Sequence, residues 1–216
     1  MQLLLETWQY ILGHQPDFWA KTGAHLTLSG MALLTALAVA IPLGILSAQS
    51  RRASLLVTNG IGALRAVPSL AIMAAMLPII GVGFRPALIA LTILALPPML
   101  INTQAGITSV DSTITEAARG MGLSRWQIIG QVQVPLALPF IVTGVRTAAV
   151  EVIASATLGA VIGAGGLGEY IFAGLSLGPA YLHLMLVGAI TVAVLTFAAE
   201  VSLSRLEVVV RHAFHQ

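Results

Sequence analysis

Long apolar blocks alternate with short polar stretches along this chain. His25 to Ser47 holds no charged side chain. It is long enough to cross a bilayer, which takes about 20 apolar residues in a helix. Similar blocks at about 55–80, 86–107, 135–161 and 181–203 predict four more spans. Pro42, Pro68, Pro78 and the Pro97–Pro98 doublet mark bends within them. Residues 1–21 read differently. Leu3, Leu4, Leu5, Trp8, Tyr10, Ile11, Phe18 and Trp19 are interrupted by Glu6, Pro16 and Asp17. That pattern predicts an external helix lying in the membrane interface, where Trp and Tyr are at home. The expected fold class is all-α, a polytopic membrane protein with five transmembrane helices. Residues 22–210 form the transmembrane domain and 211–216 a short tail.

One stretch, Ser112 to Pro139, fits neither a span nor a simple loop. Thr113-Ile-Thr-Glu116 and Ser124-Arg-Trp-Gln127 read as two capping boxes in tandem. Gly120 and Gly122 between them predict a helix stop and a sharp turn. The stretch is therefore helix, elbow, helix, with its loop at 112–134. Glu116 favours the positive end of its helix and stands three residues before Arg119, a spacing that allows an ion pair. Ala117 and Ala118 are small enough for close approach by a partner. Met121, Leu123 and Trp126 supply apolar anchors.

Composition settles the environment. Of 216 residues, 57% are hydrophobic and 8% charged, with mean hydropathy +0.95. A soluble domain carries about 25% charged residues. The chain has no cysteine, hence no disulfide or thiolate metal site. Its net charge of +2 is small and scattered, which points to topology rather than nucleic-acid binding. Five spans put Arg51, Arg52, Arg119, Arg125, Arg205 and Arg211 on one side, against Lys21 and Arg85 on the other. The positive-inside rule makes the first side cytoplasmic. The N-terminus is then outside, the C-terminus inside, and the 112–134 loop cytoplasmic. The first 21 residues lack the basic region and cleavage site of a signal peptide.

Arg65, Arg146 and Glu151 lie within apolar spans. A charge at the bilayer centre costs roughly 3 kcal/mol on insertion scales, so such groups face the bundle interior or a path. Arg146 and Glu151 are about 140° apart around a helix and do not share a face. Arg65 is a candidate partner for Glu151, either as a packing pair or lining a path. Pro68 and Asn102 join them as path candidates. Gly163-Ala-Gly-Gly-Leu-Gly168 satisfies G-x-G-x-x-G, but a transmembrane helix precedes it where a dinucleotide site needs a strand. Gly165 and Gly166 read instead as an outer hairpin or gate. No Gly-Lys-Ser/Thr phosphate loop occurs, and Lys21 is the only lysine. His212 and His215 lack further ligands nearby, so neither metal nor cofactor is expected. Few aromatics fall mid-span, mainly Phe140 and Phe197, too few for a tight quaternary-ammonium cage.

Glu116-Ala-Ala, Gly122, Pro135 and Leu138-Pro139 resemble the EAA loop of binding-protein-dependent ABC importer permeases. The likeness extends over nearly the whole chain. Ala66-Val-Pro-Ser-Leu-Ala, Leu77-Pro-Ile-Ile-Gly-Val-Gly, Asn102-Thr, Gly106-Ile, Val110-Asp111 and Ile162-Gly-Ala-Gly-Gly-Leu-Gly-Glu169 follow in order. Together they look like the osmoprotectant branch, which carries glycine betaine, choline, carnitine or proline. Methionine-importer permeases share the five-span architecture more loosely and supply the alternative cargo. An ion-coupled secondary carrier is the rival from another class. The resemblance implies a non-enzymatic permease subunit of a bacterial inner membrane, working by alternating access. It also implies cytoplasmic ATPase subunits, an extracytoplasmic binding protein and a second permease chain. Glu116, Ala117, Ala118, Arg119, Gly122 and Leu123 would then meet the ATPase.

Overall fold

The computed structural model describes residues 1–65 and 67–214. Ala66, His215 and Gln216 lie outside the described residues. So the first residue of the Ala66-Val-Pro motif, the end of the predicted tail and the His212–His215 spacing are not described. Every regular element among the described residues is helical.

Helix α1 (Gln2–Gly13) is followed at once by α2 (Gln15–Ala48). The break falls at His14 because Pro16 occupies the first turn of α2, where its missing N–H is not needed. The single helix predicted for 1–21 is thus two pieces, α1 and the first turns of α2. At 34 residues α2 is about 51 Å long, against about 30 Å of hydrocarbon. The helix is therefore longer than the core, and its two charged residues, Asp17 and Lys21, both lie in its first two turns.

The predicted second span is broken. Helix α3 (Arg51–Leu64) and α4 (Ser69–Ile80) meet at 85°. Pro68 caps the start of α4, and a residue before proline is pushed out of helical geometry, so one helix cannot continue through Val67. Helix α5 (Phe84–Thr108) matches the third span and passes through Pro97 and Pro98. Helix α6 (Ser112–Gly120) and α7 (Arg125–Ile128) follow. A π-helical turn, Ile129–Gln133, joins α7 to α8 (Val134–Ser155). The helical run that holds the fourth apolar block therefore starts at Arg125, ahead of Pro135. Pro135 sits in the first turn of α8 and does not interrupt it. A 3-10 segment, Ala156–Ile162, carries the helical path on to the start of the Gly163–Gly168 stretch. Helix α9 (Gly168–Leu177) and the long α10 (Leu182–Phe214) complete the chain. Helix α10 runs through the residues predicted as a tail from 211.

Among the described residues, four helical runs are long and apolar enough to cross a membrane, or five with the bent α3–α4 pair counted as one. Helix α5 packs between α2 and α8, and α10 covers α8 and α9. In lipid, apolar burial drives little helix association, and close packing of small residues does more. Helix α2 follows that rule. Leu28, Ala32, Ala36, Ala40 and Gly44 recur every fourth residue and are all buried. The first four meet Ala87, Ala90, Leu91 and Ala95 of α5 in one core, and Gly44 lies against Leu100 and Thr103. On the other side, a β-carbon at Gly144 of α8 would stand 2.8 Å from the Pro98 carbonyl oxygen and 2.9 Å from Asn102 Cβ. Only glycine admits that approach. Helix α3, by contrast, has no buried residue and is tied to α5 by Thr58 and Ser54, which hydrogen-bond Gln104.

Candidate functional site

Helix α6 starts at Asp111, not at the predicted Thr113 box. The Asp111 carboxylate accepts the Thr113 backbone N–H at 2.8 Å. That bond holds its pKa below the usual carboxylate range. Asp111 precedes the helix with extended ψ, so it can reach the free amides before Thr113 does. Glu116 points to solvent, and among the described residues no ion pair joins it to Arg119.

The end of α6 is sharply defined. Gly122 N–H donates to Arg119 O at 3.0 Å, and Leu123 N–H donates to Ala118 O at 3.2 Å. With Gly122 at φ +87, these two bonds make a Schellman turn. Gly120 is simply the last helical residue and does not cause the stop. Ser124 then opens α7 with a complete capping box. Its Oγ accepts the Gln127 N–H, and its own N–H donates to Gln127 Oε1 at 2.8 Å. Two hydrogen-bonded motifs therefore fix the elbow between α6 and α7.

One side of this element is rooted in the protein and the other is bare. Ala118, Ile128 and Ile129 are buried. Leu123, half-buried, lines a cleft of about 400 Å³ with Arg119, Gln49 and Gln133. There the Gln49 amide donates to Gln133 Oε1 at 3.2 Å, joining the end of α2 to the π turn. Outward, Met121 is 75% and Trp126 68% exposed, with Glu116 and Ala117 also open. Large apolar side chains displayed on a rigid elbow suit a partner groove.

Within the spans the structure brings Arg65 and Glu151 together, with Arg65 Nη2 at 3.8 Å from Glu151 Oε1. Arg65 sits at the break between α3 and α4, and Pro68 beside it is exposed. Arg146 turns the other way. It lies 3.0 Å from Glu207 and 3.6 Å from Glu200, both on α10. Asn102 belongs to the α5–α8 contact. Its amide donates to the Pro98 carbonyl at 2.8 Å, and its Cβ faces Gly144.

At the far end of α2, Gly165 and Gly166 turn the chain into α9 at φ +80 and +89. Gly166 abuts the fully buried His25, whose Nε2 bonds the Ile153 carbonyl at 3.0 Å. Beside them is a network that sequence reasoning missed. Lys21 Nζ lies 2.6 Å from Glu169 Oε2 and 3.1 Å from Asp17 Oδ1, while the Tyr170 hydroxyl donates to Asp17 Oδ2 at 2.6 Å. Asp17 four residues before the only lysine was a readable signal. Glu169 was not.

The arrangement is thus a helical membrane bundle with a rigid, exposed elbow at one end and paired charges inside. Residues 40–212 match the family described as "Binding-protein-dependent transport system inner membrane component". The chain belongs to this family. Its relatives match it along most of its length. It is 43% identical to the carnitine transport permease protein OpuCB of Listeria monocytogenes over 205 residues, which is 95% of this chain and 86% of the relative. It is 41% identical to the glycine betaine/carnitine/choline permease protein OpuCB of Bacillus subtilis, over 73% of this chain and 72% of the relative. The osmoprotectant import permease protein OsmW of Salmonella typhimurium is 32% identical, covering 95% and 97% of the two chains. In structure the inner membrane component is similar to the MetNI methionine ABC transporter in its inward-facing form. The TM-score is 0.81 at 22% identity, over 91% of this chain and 97% of the other. That likeness establishes the fold.

Proposed function

We propose that this inner membrane component is the permease subunit of an ATP-driven importer for a small osmoprotectant, such as glycine betaine, choline, carnitine or proline. Two permease chains enclose the path, and a binding protein delivers the solute from outside. Separate cytoplasmic ATPase subunits supply the motion, which enters through α6 and α7. The N-terminus faces outward and the C-terminus inward.

The observation that carries this reading is the elbow at Gly122. It is fixed by a Schellman turn and a capping box, displays Met121 and Trp126, and is rooted through Gln133 in α2 and α8. A rigid lever of that kind transmits a push, which a flexible loop does not. The transport functions of the relatives supply the cargo class.

Uptake of labelled glycine betaine tests the reading. The chain is reconstituted in vesicles with its ATPase subunits and binding protein. Uptake that requires ATP and both partners is the expected result. Uptake by this chain alone, driven by an ion gradient, would replace the reading with a secondary carrier.

A further inference from the structure

Arg65 and Glu151 face each other at a distance that joins them electrostatically without joining them chemically. At 3.8 Å the contact exceeds hydrogen-bond length. Among the described residues, neither side chain makes any hydrogen bond elsewhere. A buried ion pair kept for packing closes to about 2.8 Å and satisfies its remaining donors and acceptors. The other intramembrane arginine comes closer to its partner. Arg146 sits 3.0 Å from Glu207, whose side chain is only 10% exposed. The Arg65 and Glu151 side chains are 49% and 36% exposed. Two charges so exposed within apolar spans are unfavourable against lipid, so this face meets water or protein in the working assembly. They also sit where a span is broken at 85°, and broken spans are tolerated where they line a cavity.

We infer that Arg65 and Glu151 form a charge-paired subsite for a zwitterionic solute in the transport path. This rests on the importer reading above. The guanidinium takes the solute carboxylate, for which its planar fork is suited. Glu151 takes the quaternary or secondary ammonium, in place of the aromatic cage that this chain lacks. A solute of both charges replaces the loose Arg65–Glu151 attraction with two better ones, and releases it again because neither contact is enclosed. A cation without a carboxylate, such as choline, uses Glu151 alone.

The test compares glycine betaine and choline uptake by the reconstituted complex with saturating binding protein. Arg65→Gln should lower glycine betaine uptake at least 10-fold and choline uptake less than 2-fold. Glu151→Gln should lower both at least 10-fold. Both variants should assemble with the ATPase in wild-type amounts. Equal loss of both solutes in Arg65→Gln, or loss of assembly, would overturn the subsite and leave a packing pair. A wild type that moves neither solute would instead refute the importer reading. For a wild type that moves glycine betaine alone, thiol labelling decides. The chain has no cysteine, so Glu151→Cys introduces its only thiol. A water-soluble thiol reagent should label it, and glycine betaine should slow that labelling while an equal concentration of sodium chloride does not. An unreactive thiol, or one unaffected by glycine betaine, would overturn the subsite.

Discussion

Lys21 lies 2.6 Å from Glu169, joining α2 to α9 across 148 residues of sequence. The same ammonium holds Asp17, and Asp17 in turn accepts the Tyr170 hydroxyl. The hairpin at Gly165 and Gly166 is thereby pinned to the first turns of α2. Both ends of the Lys21–Glu169 bond are partly exposed, so its worth is about 1 kcal/mol rather than that of a buried pair. Lys21→Met should lower the thermal midpoint of the purified protein by about 2–4 °C. High salt should narrow the gap by screening the wild-type pair. Equal midpoints at low salt would show that the hairpin is held by other contacts.

Gly144 and Gly130 predict opposite outcomes from one type of substitution. A side chain at Gly144 collides with the Pro98 carbonyl and Asn102, whereas one at Gly130 meets nothing within 4 Å. Gly144→Leu should destabilise the bundle by about 3 kcal/mol or more through overpacking. Gly130→Ala, which adds a side chain into open space at a helical position, should leave the thermal midpoint unchanged or slightly raised. Thermal unfolding of the two variants side by side checks this.

The cap at Ser124 holds the start of α7. Ser124→Ala removes an acceptor for the Gln127 amide and should destabilise the elbow by about 1 kcal/mol. Limited proteolysis should then cut near Leu123 faster, while the spans stay inserted. No change in cutting would mean that the Schellman turn alone fixes the elbow.

Met121 and Trp126 stand free of the fold, so their loss should not unsettle it. Trp126→Ala should weaken association with the ATPase subunits by about tenfold or more, as expected of an interface anchor. Its own thermal midpoint should match the wild type. Co-purification of the ATPase at graded salt and detergent measures this. Retention equal to wild type would place the contact elsewhere.

These residues also show which features the sequence made legible. The span at Phe84–Thr108 was plain because its apolar run is bounded by Arg85 and a polar stretch. Two isolated charges in apolar spans have few partners, so Arg65 and Glu151 were readable as a pair. The break at Pro68 was not, because the apolar run continues through it and proline gives one signal for a kink and a break. The cap at Asp111 was hidden behind the Thr113 box, and only the backbone geometry shows that the helix begins earlier. The Lys21–Glu169 bond depends on how the α9 hairpin folds back on α2, which no local pattern encodes. The π turn at 129–133 leaves the apolar pattern nearly unchanged and so was invisible to it.

In the importer proposed above, the α6–α7 elbow carries ATP-driven motion into the spans. ATP hydrolysed per glycine betaine moved, measured in the same vesicles for wild type and Gly122→Val, tests it most directly. Valine is disfavoured at φ +87, so the Schellman turn should open while the packing of the spans is untouched. The account predicts that uptake falls at least tenfold while hydrolysis continues, so the ratio rises. An unchanged ratio, with uptake and hydrolysis preserved or falling together, would contradict it.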